Sequence, residues 1–417
     1  MSDVVVTKEN NGRGSTVADS PRRSVFGRGF PVEGANQPFR RDIQSLRGVA
    51  VLLVIANHAG LVGFAGGYIG VDMFFVISGY VITQLLMREA GKTIRVGLSD
   101  FYTRRIRRIV PAATVTLMAT MFVAWATLGT RLNPHLPGDI QWASLFSANF
   151  RLIATGSNYF VPGTSPSLIT QFWSLAVEEQ FYLIFPLAIF LIVRYAAPER
   201  RLVTLRVFLI VGIALSAWWS IHLSQADPTP AYYSPFTRFW ELGLGCLLAT
   251  ISVVRPIRTR RSENLANALG ILLILFALIR LNSSSIYPGA WAWLPCFGTA
   301  LIIWAGVAGE RTRATRLLSH RTLGYIGDIS YSLYLLHYLW LKLPEQLSSP
   351  LTGWQWRTIE IAGTFICAIA SYHLIENPIR RSQALARDRL AVVLLLLVCI
   401  ASSWTTAIVV GHLTHTA

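Results

Sequence analysis

Residues 46–64 read LRGVAVLLVIANHAGLVGF, nineteen positions in which Arg47 is the one fixed charge and His58 stands inside the apolar run. About twenty apolar residues cross the hydrocarbon of a bilayer as a helix, so this stretch reads as a membrane span carrying two polar residues that lipid does not solvate. Ten further segments follow the same pattern, at 68–87, 109–129, 172–193, 203–223, 234–254, 264–281, 290–308, 324–343, 355–375 and 390–411. The expected fold is an all-α polytopic membrane protein with ten to eleven transmembrane helices. Composition agrees: at 417 residues, 53% hydrophobic and 14% charged, the chain has too little polar surface to cover a soluble globule of its size.

The formal charge of +16 alone does not distinguish nucleic acid from lipid or topology. Position decides. Counted over alternate connections from the N-terminal arm onward, 31 of the 37 Lys and Arg fall on one side and six on the other. Cytoplasmic loops carry such an excess, so the N-terminus is expected in the cytoplasm and the C-terminus outside. The bilayer is then the partner of the basic loops, and no nucleic acid is expected. Residues 1–39 are rich in Gly, Ser, Asn and Arg without a signal-peptide core, and read as a disordered cytoplasmic tail. Residues 40–380 form the transmembrane domain, and 381–417 a basic segment with the last span. One outer connection, 130–171, is long enough to suggest a binding element or lid; it contains Trp142, Asn149 and Tyr159. Cys246, Cys296, Cys367 and Cys399 lie in apolar runs without paired spacing, so they read as small core residues, with no metal expected.

Ionisable residues at membrane depth are expensive and mark functional sites, with structural pairing as the competing explanation. Arg47 and His58 are eleven residues apart, about three turns, and therefore share a helix face about 16 Å apart along the axis. His58 alone would more often be a satisfied structural group. Glu178 and Glu179 in WSLAVEEQFYLIFP, Arg238 and Glu241 in SPFTRFWELG, and His337 in SYSLYLLHYLW are expected at a similar distance from the outer surface. Their convergence makes a site the better explanation, and its chemistry is acid–base. Asp72 ends GFAGGYIGVD and is placed to orient His58 or to pair with Arg238. No GxSxG elbow supplies a nucleophile; Ser78, before Gly79, reads rather as close helix packing. On the opposite side, FYTRRIRRIVP places Arg104, Arg105, Arg107 and Arg108 at the start of the third span, with Pro111 in its first turn. The alternatives there are lipid anchoring and a phosphate clamp with Arg47.

Together these segments carry a resemblance. RRDIQSLRGVAVLLVIANH, GGYIGVDMFFVISGYVIT, FYTRRIRRIVP, FWSLAVEEQFYLIFP, RFWELGLG, YIGDISYSLYLLH and SYHLIENPIRR resemble, in that order over roughly 38–380, the acyltransferase 3 family of integral membrane acyltransferases. The resemblance implies a bacterial inner-membrane enzyme that takes an acyl group, commonly acetyl, from cytoplasmic acyl-CoA and places it on an envelope polysaccharide, lipopolysaccharide or other glycan. Arg47 and His58 match the family's Arg/Lys-x10-His motif, the arginines at 104–108 its second basic motif, and Glu178 its acidic motif.

On this reading His58, with Glu178, Glu179 and Asp72 as further catalytic candidates, acts as base toward a hydroxyl or transiently carries the acyl group. Arg47 and the four clustered arginines bind the acyl-CoA; Trp173, Arg238, Glu241, His337 and Asn149 are candidates for the acceptor. Many relatives carry a fused SGNH hydrolase-like domain; this sequence shows none, which implies a separate extracytoplasmic transfer protein as a possible partner. Some shorter relatives acylate small molecules such as macrolides. A glycolipid transporter or flippase is the competing class, since intramembrane charges also line transport paths; missing symmetry between the halves and the inward-facing arginines weigh against it.

Overall fold

The computed structural model describes residues 40–93, 97–157, 159, 167–252, 259–308, 312–347 and 353–416. The expected tail at 1–39 lies outside them. The described residues are predominantly helical, with no strand among them. The eleven apolar segments become α1 (Arg41–His58), α2 (Gly70–Thr93), α3 (Leu98–Leu128), α4 (Phe172–Tyr195), α5 (Arg201–Ala226), α6 (Pro235–Ser252), α7 (Arg260–Arg280), α8 (Trp293–Ala305), α9 (Ser330–Lys342), α10 (Trp354–Ser371) and α11 (Arg389–Thr416).

Seven of them are long and apolar enough to cross a membrane: α2, α3, α4, α5, α7, α10 with its continuation, and α11. The chain is thus a multi-pass membrane protein. The other four fall short for physical reasons. Three charged residues stand in α1 and two in α6, while α8 and α9 have only 13 residues each. The 324–343 segment is broken at Ile329, where a short helix, Arg321–Asp328, gives way to α9. Helices α1, α6 and α9, which hold Arg47, His58, Arg238, Glu241 and His337, are interior elements. By contrast α5, α7 and α11 turn Ile210, Leu215, Leu272, Ile279, Leu397 and Val398 outward, as lipid-facing helices should.

Two expected helix limits shift. The first helix stops at His58, because Gly60 (φ 65°) and Gly63 (φ 84°) take left-handed turns beyond it that cost glycine little. His58 therefore closes its helix instead of lying six residues inside it. The third begins at Leu98, so Pro111 sits mid-helix and the arginine cluster is wholly helical.

The centre of the bundle is the crossing of α2 with α6, flanked by α5 against α6, α1 against Arg321–Asp328, α9 against α10 and α11 against α3. At that crossing a methyl group on Gly79 would overlap the carbonyl of Leu242, and one on Gly245 the carbonyl of Val76. Backbone meets backbone there as small residues permit in membranes.

Candidate active site

A narrow cavity of ≈ 80 Å³ lies between α1, α2, α3, α4 and α9, lined by Arg47, Phe74, Ser78, Arg105, Arg108, Ser174, Glu178, Tyr182, Tyr331 and Tyr334 among others. Helical spacing explains which arginines arrive. Arg105 and Arg108 are three residues apart, about 60° around α3, and share the cavity face. Arg104 points to the surface and pairs with Glu89. Arg107 is buried and donates to the carbonyls of Arg380 (2.6 Å) and Ser382 (2.7 Å), so it ties down the end of the NPIRR segment instead of facing the cavity. The four-arginine clamp reduces to two arginines joined by Arg47. Glu178 lines the same cavity; its carboxylate accepts from Ser78 Oγ (2.5 Å) and from the Tyr182 hydroxyl, while the Arg105 guanidinium lies 3.8 Å above the Tyr182 ring. Ser78 is thus a cavity residue, and its neighbour Gly79 does the packing expected of it. Glu179 faces a separate lateral cavity with Arg105, Gln180 and Tyr182, and its Oε1 is buried with no hydrogen-bond partner among the described residues.

Tyr334 closes one end of the basic cavity. Its hydroxyl shares a hydrogen bond with Ser174 Oγ (2.6 Å) and reaches the Gln171 carbonyl (3.0 Å), and its ring lies 5.5 Å from that of His337 on α9. Beyond it stands His58, 8% exposed. His58 Nδ1 is 2.9 Å from His337 Nε2, and His58 Nε2 is 2.6 Å from the Tyr159 hydroxyl. The Tyr338 ring meets His58 edge-on at 5.1 Å. Burial pushes the Tyr159 phenol well above its ordinary range, so it keeps its proton and can donate it wherever His58 Nε2 carries a lone pair. His58 is therefore a buried imidazole whose Nε2 lies at hydrogen-bond distance from a hydroxyl, the reach that a general base needs.

Arg238, Asp72 and Glu241 form a different unit. Arg238 Nη1 donates to Asp72 Oδ1 (2.9 Å) and Glu241 Oε1 (2.7 Å), all at most 1% exposed. Its Nε donates to the Tyr232 carbonyl (3.0 Å), and its guanidinium lies over the rings of Trp173, Tyr232 and Tyr287. Ligand atoms of Asp72, Glu241 and Cys296 lie within 4.8 Å of one another, and the cation between the two carboxylates is the guanidinium. Of the two roles open to Asp72, the structure shows the pairing with Arg238. Trp173 packs on Tyr232 (4.7 Å), and Tyr232 stacks on Tyr159 (4.6 Å, 27°). A column of aromatic rings thus carries the rigidity of the triad to the phenol beside His58. Asn149 is engaged with Gln180 and the Tyr233 carbonyl, which fixes the helix Ala148–Ala154 against α4.

The single polar level expected from the sequence is therefore three groups: Glu178 with the arginines, the Asp72–Arg238–Glu241 triad, and His58 with His337. Tyr159, Tyr334, Ser174 and Tyr182 carry roles the sequence reading did not assign. Tyr182 lies one helical turn beyond Glu178, a spacing that places both on one face; the other contacts join residues far apart in the chain.

Fold and site define a multi-pass membrane protein with a buried imidazole at one end of its polar interior and an arginine-lined cavity at the other. The chain matches the sequence model of the acyltransferase 3 family, an acyltransferase domain, over residues 40–375, and it belongs to that family. It is 32% identical over 351 residues to the peptidoglycan O-acetyltransferase OatA of Listeria monocytogenes, covering 82% of this chain and 56% of that protein. Over 353 residues it is 34% identical to a putative peptidoglycan O-acetyltransferase, YrhL, of Bacillus subtilis, covering 81% and 54%. The O-acetyltransferase OatA of Staphylococcus aureus is 33% identical over 351 residues, covering 81% and 57%. The chain thus spans little more than half the length of these relatives. No solved structure matches it.

Proposed function

We propose that this protein is a membrane O-acyltransferase that moves an acyl group, most simply acetyl, from acyl-CoA to a hydroxyl of an envelope glycan, with peptidoglycan the first acceptor to test because three relatives are named for O-acetylation. The observation that carries the reading is the arrangement along α1. Arg47 lines the basic cavity, and His58, about 16 Å further along the same helix face, is buried with Nε2 on a hydroxyl.

The donor's phosphates bind at the arginine end, where guanidinium groups give charge-assisted, bidentate contacts. At ≈ 80 Å³ the cavity has no room for the donor's adenosine, which stays outside while the phosphates meet the arginines. The acceptor reaches His58 from the Tyr159 side. His58 removes the proton of the attacking hydroxyl, or receives the acyl group before passing it on; Glu178 holds the charge of the arginine end through Ser78 and Tyr182. The excess of Lys and Arg on the arginine side supports a cytoplasmic face for that side of a bacterial inner membrane.

Purified protein in nanodiscs, given acetyl-CoA and soluble peptidoglycan fragments, tests the reading. CoA release with ester formation is the expected result. Release without ester points to a missing transfer partner, and no release from acetyl-CoA under conditions where the protein is folded overturns the assignment.

A further inference from the structure

The hydrogen-bond chain through His58 has a terminus that fixes its direction. His337 Nδ1 lies 2.7 Å from the backbone carbonyl of Tyr334, and a carbonyl only accepts, so His337 Nδ1 carries hydrogen. A neutral imidazole has one N–H, which leaves a lone pair on His337 Nε2. That lone pair lies 2.9 Å from His58 Nδ1, which must therefore supply the hydrogen. His58 is left with its lone pair on Nε2, where the Tyr159 hydroxyl lies at 2.6 Å. The opposite direction requires a cationic His337 in a buried setting. Among the described residues no carboxylate is hydrogen-bonded to either ring, and a buried cation without a counter-charge is costly.

We infer that His337 is a positioning residue: anchored on the Tyr334 carbonyl, it holds His58 in the tautomer with hydrogen on Nδ1 and directs the basic Nε2 toward the acceptor side. This deepens the proposed function and rests on His58 being its base. When an acceptor hydroxyl is activated, its O–H bond breaks and a new N–H bond forms at His58 Nε2. The resulting imidazolium keeps its Nδ1–H on His337, so the charge appears on a ring whose second hydrogen is already bound. Partners of this kind fix tautomer and ring orientation behind a reactive imidazole, as they do behind metal-bound ones.

The full-length protein in nanodiscs, labelled with 15N-histidine, gives a direct readout, with the His58 signals assigned as those lost in His58→Ala. Wild-type His58 is expected to be protonated on Nδ1 and bare on Nε2. In His337→Leu the preference should be lost, and kcat for acetyl transfer from acetyl-CoA to peptidoglycan fragments should fall about 10–100-fold with donor KM unchanged. His337→Gln, whose side-chain carbonyl can still accept from Nδ1–H, should recover most of kcat and the wild-type tautomer. His58 protonated on Nε2 in the active wild-type protein overturns the inference, as does a Leu variant with unaltered tautomer and kcat. Should the Leu variant not fold, the wild-type tautomer and the Gln variant decide. Full turnover in His58→Ala would remove the proposed function while leaving the tautomer result standing, so the two failures are distinguishable.

Discussion

Arg107 and Arg108 are neighbours in sequence and opposites in what their guanidinium groups hold. Arg108 faces the cavity, whereas Arg107 already binds the carbonyls of Arg380 and Ser382. Arg108→Gln should raise KM for acetyl-CoA about 10–100-fold, because a hydrogen bond to a charged group contributes about 1.5–3 kcal/mol. Arg107→Gln should leave KM near wild type and lower the thermal midpoint in detergent. Equal KM effects from the two would mean that the cluster acts through topology alone. His58→Ala should reduce transfer by about 10²–10⁴ without loss of folded protein; wild-type turnover would remove His58 from the mechanism. Residues within one helix were legible in the sequence because periodicity fixes their faces: Arg47 with His58, and Arg105 with Arg108. Of the partners of His58, His337 was legible as a residue of the same site but not as a direct contact, and Tyr159 was not legible at all. His337 is 279 positions away and Tyr159 is 101, and no local pattern encodes either meeting.

Helix ends were the least legible feature at the level of elements. The run Ala59–Phe64 is apolar enough to extend a hydropathy window, yet two glycines with positive φ turn the chain there. Counting depth from a helix end that does not exist placed His58 level with Glu178, and a tyrosine, Tyr334, turns out to stand between their surroundings. Two contacts hold the elements that shape the site. At the α2–α6 crossing, Gly79→Val must push the backbones apart; overpacking of this kind costs about 1–3 kcal/mol or more. Ser78, the residue before Gly79, bonds Glu178, so CoA release should fall along with the thermal midpoint; an unchanged midpoint with full release would show that the helices accommodate the side chain. At the triad, Arg238→Gln leaves two buried carboxylates without their cation, a loss of about 3–5 kcal/mol. Thermal unfolding of the purified variant measures it, and a midpoint within error of wild type would show that Asp72 and Glu241 find other partners. The effect should reach His58 as well, since Arg238 supports Tyr232 and Tyr232 supports Tyr159.

The class of the whole molecule was the most legible property, because the cost of burying polar groups in lipid leaves its mark on every span. What the bundle adds is separation of the arginine-lined cavity from the buried imidazole, the donor and acceptor ends of the proposed reaction. In proteoliposomes of one orientation, acetyl-CoA added on the side of the arginine cavity should acylate peptidoglycan fragments sealed on the other side. Product formed only when both share a compartment would confine the enzyme to one face. Tyr334, pinned by Ser174 and the Gln171 carbonyl, then has a second meaning. A membrane that stores energy as an ion gradient cannot tolerate an open polar conduit, and a ring held by two hydrogen bonds between the arginine cavity and His58 is an electrical insulator at that point. With that ring in place, protons and salts would be refused, and catalysis would run without discharging the membrane it is built into.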